Sequence, residues 1–216
     1  MPRLFVQEGV TAVPATPHVR DDFPTSADTM LRLVGALQRV LDEREIPLVV
    51  LPGAEVAVDW ITRLHETELR RLTLAGGGRY ILVETPYRGW PLDLLEQVLG
   101  LRVAGFTPVL AHPERNPVVQ ATPSLLAPLV AGGTLVQVTA ASLDGRLGAR
   151  QLAYGVARLA GSLANPCGIW GGACRTLKPL ALVIAVLALA VLHRGPRPLL
   201  VSERQLPVLW VAASVL

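Results

Sequence analysis

Between about residue 10 and residue 163 the sequence alternates short β-branched or apolar runs with longer segments of helical period. That alternation admits few architectures other than repeated βα units. Strands are expected at Val10 to Val13, Leu48 to Leu51, Tyr80 to Val83, Thr107 to Ala111 and Leu135 to Val138. Over residues 26–42, Met30, Leu33, Val34, Leu37, Val40 and Leu41 recur at i, i+3, i+4, i+7 spacing, with Thr25 or Ser26 available as N-cap. This predicts a core-facing helix. Residues 92–103 read as a second helical connector, and 146–163 as a third. The order suggests an α/β barrel or layered sheet.

The 216 residues, 51% of them hydrophobic, suffice for one domain with a sizeable core and are too few for two. Domain organisation is therefore read as one domain over 1–163 followed by an atypical apolar segment over 164–216. Beyond Ala164 the only acidic residue is Glu203, and the remaining charges are Arg and Lys among apolar, Gly and Pro residues. Leu180 to Leu192 is an uninterrupted apolar run of 13 residues. At about 1.5 Å per residue it covers roughly 20 Å, short of the roughly 30 Å hydrocarbon core, so a buried or sticky segment is expected rather than a membrane span.

Charge and cysteine content exclude several function classes. The 20 basic and 17 acidic residues are spread along the chain without a Lys or Arg run that would track a phosphate backbone, so nucleic acid is not an expected partner. Cys167 and Cys174 are the only cysteines, too few for a disulfide framework or a four-thiolate zinc site. Residues 1–8 carry no long apolar run ahead of a small-residue cleavage site, so a cytoplasmic setting is expected. A cysteine-dependent phosphatase would need Cys-x5-Arg, but the arginine position counted from Cys167 is Ala173, and Cys174 is followed directly by Arg175. The register rejects that chemistry.

Chemistry-bearing residues recur at one kind of place. His18, Glu55, Glu84 and His112 each fall at or a few residues beyond the C-terminal end of an expected strand, which is where α/β barrels build their sites. Imidazoles and carboxylates converging there suit divalent cations, with oxygen-rich mixed sets favouring Mn²⁺, Mg²⁺ or Fe and histidine admitting Zn²⁺. Taken singly, each is more readily a satisfied loop residue; the recurrence gives the set its weight. Arg115, three residues after His112, has a planar fork of donors suited to phosphate oxygens, its bland alternative being a solvated loop arginine.

Four stretches carry a specific resemblance: Ala15 to His18, Leu51 to Glu55, Tyr80 to Glu84, and Ala111 to Asn116. Supported by Gly9 to Val13 and Gly105 to Val109, they are similar in order and spacing to successive motifs of the bacterial PHP-superfamily metal-dependent protein-tyrosine phosphatases of capsular and exopolysaccharide loci. The resemblance covers about residues 3–163. It implies a distorted β/α barrel holding a cluster of metal ions, commonly manganese, and hydrolysis of phosphotyrosine by a metal-activated water. The implied partner is an autophosphorylating tyrosine kinase of polysaccharide synthesis. Carried over by position, His18, Glu55, Glu84 and His112 would be metal ligands and Arg115 a catalytic, phosphate-binding residue.

The chain departs from the family's pattern at both ends. The family opens with an Asp-x-His-x-His strand and closes its site with a late Asp-x-His pair; here Met1 already lies near the end of the first expected helix, and no Asp occurs beyond Asp144. A late start and a changed reading frame near residue 164 would account for the two departures. The expectation is then an incomplete PHP-type barrel, an incomplete multinuclear site and weak phosphatase activity. The alternatives are a catalytically defective fragment or kinase-binding module of the same family, or another PHP phosphoesterase such as a histidinol phosphatase.

Overall fold

The computed structural model describes residues 2–139 and Ser142. Helix α1 (Pro2–Gln7) leads into strand β1 (Ala12–Pro14), then β2 (His18–Arg20) and β3 (Phe23–Pro24), followed by helix α2 (Ala27–Glu43). Next come β4 (Val49–Leu51), β5 (Glu55–Ala57), α3 (Glu66–Arg71), β6 (Tyr80–Glu84), α4 (Leu94–Val103) and β7 (Thr107–Ala111). Helices α5 (Pro117–Ala121) and α6 (Ala127–Ala131) precede β8 (Leu135–Val136). Residues 1–138 form one compact unit. The expected helix over 146–163, Cys167, Cys174, Arg175 and the Leu180 to Leu192 run lie outside the described residues. Among the described residues no helix is long and apolar enough to cross a membrane.

The strands form a six-stranded sheet in the order β3-β2-β5-β6-β7-β8 and a two-stranded pair, β1-β4. Every pairing is parallel except the β2–β3 hairpin. The α/β reading holds. Among the described residues the larger sheet runs from β3 to β8.

The strands expected at Val10 to Val13 and Leu48 to Leu51 correspond to β1 and β4, and the chain adds a short strand, β2 or β5, a few residues beyond each. Pro17 and Pro52, which have no N–H for a ladder, lie in the breaks between β1 and β2 and between β4 and β5. Pairing resumes beyond them along each chain segment, with β1 pairing to β4 before the breaks and β2 to β5 after them. Across the breaks Ala15 N donates to Leu51 O at 2.9 Å and Glu55 N to Pro17 O at 3.0 Å. Gly53 sits where any side chain would crowd Leu74, since a Cβ there would lie 3.2 Å from Leu74 Cδ2. His18 and Glu55 thus lie a few residues beyond the expected strands, as the first residues of β2 and β5.

The α4-to-β7 connection shows how local chemistry sets the register. Gly105, at φ +86°, takes the left-handed turn after the helix; Phe106 N donates to Leu101 O at 2.9 Å and Gly105 N to Arg102 O at 3.1 Å. This Schellman arrangement satisfies the last helical carbonyls and swings the chain back. Phe106 is then fully buried, and β7 is buried along its whole length.

Residues on alternate faces of the sheet do different work. The register row Val19, Val56, Val83 and Leu110 is buried on one face, and α4 packs against β7 and α6. On the other face Leu82, Val109 and Ala111 cluster with Leu74, Tyr80 and Leu135. This apolar floor shares its face with His18, Glu55 and Glu84, because strand partners in register point the same way.

Helix α2 differs from the sequence reading in one respect. Ser26 is its N-cap, accepting from Thr29 N, and Ala27, Met30 and Leu41 are buried as a core face requires. Leu33, Leu37 and Val40, also expected in the core, are exposed. Gln38 accounts for the orientation: its amide accepts from Val50 N at 2.8 Å and reaches Leu48 O at 3.3 Å. Seating that flank on the edge of β4 turns the Leu33–Val40 flank outward.

Candidate metal centre

Cross-strand register assembles the site. His18 is the register partner of Glu55, and Ala57, two residues beyond Glu55 on the same face, is the partner of Glu84. The three polar side chains thus share one face, and a ligand atom from each of His18, Glu55 and Glu84 lies within 4.8 Å of the others. His18 Nδ1 stands 3.5 Å from Glu84 Oε2 and 4.0 Å from Glu55 Oε1. That nitrogen is buried and has no hydrogen-bond partner. An unpartnered imidazole nitrogen aimed between two buried carboxylates is what a divalent cation would complete, and the mixed nitrogen–oxygen donor set fits Mn²⁺, Fe or Zn²⁺.

His112 joins from a different direction and lies outside that trio. Strand β7 ends at Ala111, and His112 adopts φ 32°, ψ 49°, a left-handed conformation that histidine tolerates better than most residues but that still stores strain. The turn is completed by Pro113 and by Arg115 N donating to His112 O at 3.0 Å. His112 is buried, and its Nε2 lies 2.8 Å from Glu55 Oε1, within hydrogen-bond distance. Four of the predicted site residues are thereby brought together, three directly and His112 through Glu55.

Arg115 does not contact these carboxylates. Its guanidinium carbon lies 5.7 Å from the centre of the Tyr87 ring, within cation–π range. Among the described residues it forms no ion pair, which leaves its donors available to an anion.

Three further residues shape the site. Arg20, two positions after His18 on β2 and so on the same face, places Nη1 at 3.4 and 3.3 Å from the two Glu84 oxygens and Nη2 at 3.0 Å from Asp22 Oδ2. Burial opposes its charge, but Asp22 and then Glu84 outweigh that and hold its pKa above the usual arginine value. Tyr87 stacks on His112, ring centres 6.4 Å apart and planes 13° from parallel. Burial, followed by its hydrogen-bonding interaction with Glu84, pushes the phenol above its usual pKa. Asn116, only 1% exposed, caps α5 by accepting from Val118 N at 2.8 Å, while its Nδ2 donates to Pro86 O at 2.6 Å and Gly89 O at 2.9 Å. It therefore ties the His112–Arg115 turn to the loop that carries Tyr87. The i+2 spacing from His18 on a strand is a usable sign for Arg20, and an Asn before Pro117 at a helix start is one for Asn116. Nothing in the local sequence marks Tyr87.

The chain is similar to known proteins in sequence and in fold. Residues 1–159 match the family described as "Capsular polysaccharide synthesis, CpsB/CapC". Over 155 residues the chain is 33% identical to the tyrosine-protein phosphatase YwqE of Bacillus subtilis (strain 168), covering 71% of this chain and 61% of that relative. The chain thus spans less than two thirds of the length of YwqE. A solved structure from work on YwqE of Bacillus subtilis and CpsB of Streptococcus pneumoniae, described there as unique metal-dependent tyrosine phosphatases, superposes with a TM-score of 0.66 at 28% identity. The superposition covers 87% of this chain and 77% of that one.

Proposed function

Because the chain belongs to the CpsB/CapC family of capsular polysaccharide synthesis, we propose that it acts as a metal-dependent protein-tyrosine phosphatase, hydrolysing phosphotyrosine on a tyrosine kinase of polysaccharide synthesis. The observation that carries this reading is the unpartnered His18 nitrogen facing two buried carboxylates, with the guanidinium of Arg115 on the neighbouring turn. His18, Glu55 and Glu84 would hold the metal, manganese in the first instance, and His112 would complete the set alongside Glu55. When bound, such a cation lowers the pKa of a water and offsets negative charge on phosphoryl oxygens.

The chain's own residues supply the rest. Arg115 binds phosphate oxygens through its donor fork, which fixes the monoester in position. Tyr87, stacked on His112, helps hold that ring in place. The apolar floor of Leu82, Val109 and Ala111 keeps the site's dielectric low, which strengthens each charge interaction above it.

The test is release of phosphate from a phosphotyrosine peptide by the purified chain, with Mn²⁺ and with excess chelator. Turnover should require the metal, fall in Glu55→Ala and His18→Ala, and show a raised KM in Arg115→Lys, since a point charge cannot reproduce a bidentate fork. Turnover that survives both chelation and Glu55→Ala would refute the reading. Equal or faster release from a histidinol phosphate substrate would move the assignment to a small-molecule phosphoesterase.

A further inference from the structure

We infer that Arg20 is a second phosphate-recognition residue, forming with Arg115 a two-guanidinium cradle for the dianion of an aryl phosphate monoester; this rests on the phosphatase reading above. Both guanidinium carbons approach the same aromatic ring, Arg20 at 5.6 Å and Arg115 at 5.7 Å from the Tyr87 centre. Tyr87 thereby links the two guanidiniums, Arg20 beside Glu84 of the proposed metal centre and Arg115 on the turn after His112.

Pairing with Glu84 is only part of what holds Arg20. An arginine serving that carboxylate would close to about 2.7–2.9 Å, the usual length of a charge-assisted bond. Arg20 instead stands 3.3 and 3.4 Å from the Glu84 oxygens and keeps its short contacts, 2.7 and 3.0 Å, for Asp22 in the exposed turn between β2 and β3. Asp22 thus acts as a tether that aims the guanidinium, and the guanidinium has more N–H donors than Asp22 and Glu84 use. Phe23, 5.4 Å from the same guanidinium carbon, supports it from the other strand of the hairpin. Two guanidiniums favour a doubly charged monoester over a singly charged diester, so the cradle also selects substrate class.

The test uses the full chain saturated with Mn²⁺, with calorimetric binding of phenylphosphonate, an aryl dianion whose P–C bond is not hydrolysed, and of dimethyl phosphate, a monoanion. Arg20→Met should weaken phenylphosphonate binding about tenfold or more and leave dimethyl phosphate nearly unchanged, with Arg20→Lys intermediate. Matching melting curves for Arg20→Lys and wild type keep the comparison free of misfolding. Arg115→Met losing affinity while Arg20→Met binds like wild type would overturn the inference and leave the phosphatase reading intact. A loss in Arg20→Met that disappears as Mn²⁺ is raised would also overturn it, by showing that Arg20 acts only through Glu84. Failure of the wild-type chain to bind phenylphosphonate at all would remove both readings together.

Discussion

His112 Nε2 and Glu55 Oε1 meet at 2.8 Å although 57 residues separate them in the chain. The contact joins a left-handed turn after β7 to the first residue of β5, and both partners are buried. A buried pair of this kind couples strongly. In a double-mutant cycle of His112→Ala and Glu55→Ala, the urea unfolding free energies should therefore be non-additive by about 0.5–3 kcal/mol. Simple additivity would mean that the two side chains do not interact in solution.

Divalent metal should stabilise the chain through the same group. Glu55 and Glu84 are buried carboxylates, and of the two only Glu84 is reached by Arg20, so a cation bound by the folded form alone raises stability by mass action. Addition of Mn²⁺ should raise Tm, chelator should reverse the rise, and His18→Ala, Glu55→Ala or Glu84→Ala should each weaken Mn²⁺ binding by roughly tenfold or more, as disturbed metal sites do. His65→Ala is the control, because His65 caps α3 by accepting from Thr67 N and belongs to no carboxylate cluster among the described residues. Equal Mn²⁺ affinity in all four variants would rule the assignment out.

Periodicity makes much of this architecture legible in the sequence. Residues 107–111 are apolar or β-branched without a polar break, and they form a strand over those same residues; of the two candidate caps for α2, Ser26 is the one used. The ligand types His18, Glu55, Glu84 and His112 stand out because charged or imidazole groups gathered at strand ends are uncommon without a task. The additional strands β2 and β5 are harder to read, because two or three residues carry no periodicity of their own. The roles of Arg20 and Tyr87 depend on which strand lies beside which, and on a loop held by Asn116 from another segment. Those are long-range facts that no local pattern contains.

The outward flank of α2 and the core strand β7 offer a check on the packing. Leu33 is exposed and Leu110 fully buried, although both belong to regular apolar patterns. Leu110→Ala should cost about 2–5 kcal/mol, the range for a leucine removed from a closed core, while Leu33→Ala should stay within about 0.5 kcal/mol. Chemical denaturation of the two variants measures both. A large loss in Leu33→Ala would place that flank against a partner surface and reverse the assignment of the helix faces.

Asn116 gives the sharpest separation of architecture from chemistry. Its Oδ1 caps α5, and its Nδ2 holds Pro86 O and Gly89 O, with the whole side chain buried. Asn116→Ala removes a helix cap, worth about 1 kcal/mol, and leaves two carbonyls short of a donor, at about 1–3 kcal/mol for a buried unsatisfied group. A loss of roughly 2–4 kcal/mol in urea unfolding is expected. Asn116→Asp keeps the oxygen that caps the helix but sets a second oxygen against the carbonyls of Pro86 and Gly89, so it should be no less destabilising than alanine. Because the lost bonds release the loop carrying Tyr87, the stacking of Tyr87 on His112 should loosen, while the trio of His18, Glu55 and Glu84, built on strands, stays in place. Mn²⁺ affinity at a temperature where each variant remains folded should therefore change little in Asn116→Ala, whereas phosphonate binding should weaken. Parallel loss of both would show that Asn116 supports the metal trio itself, and that the two loops are not the separable part of this site.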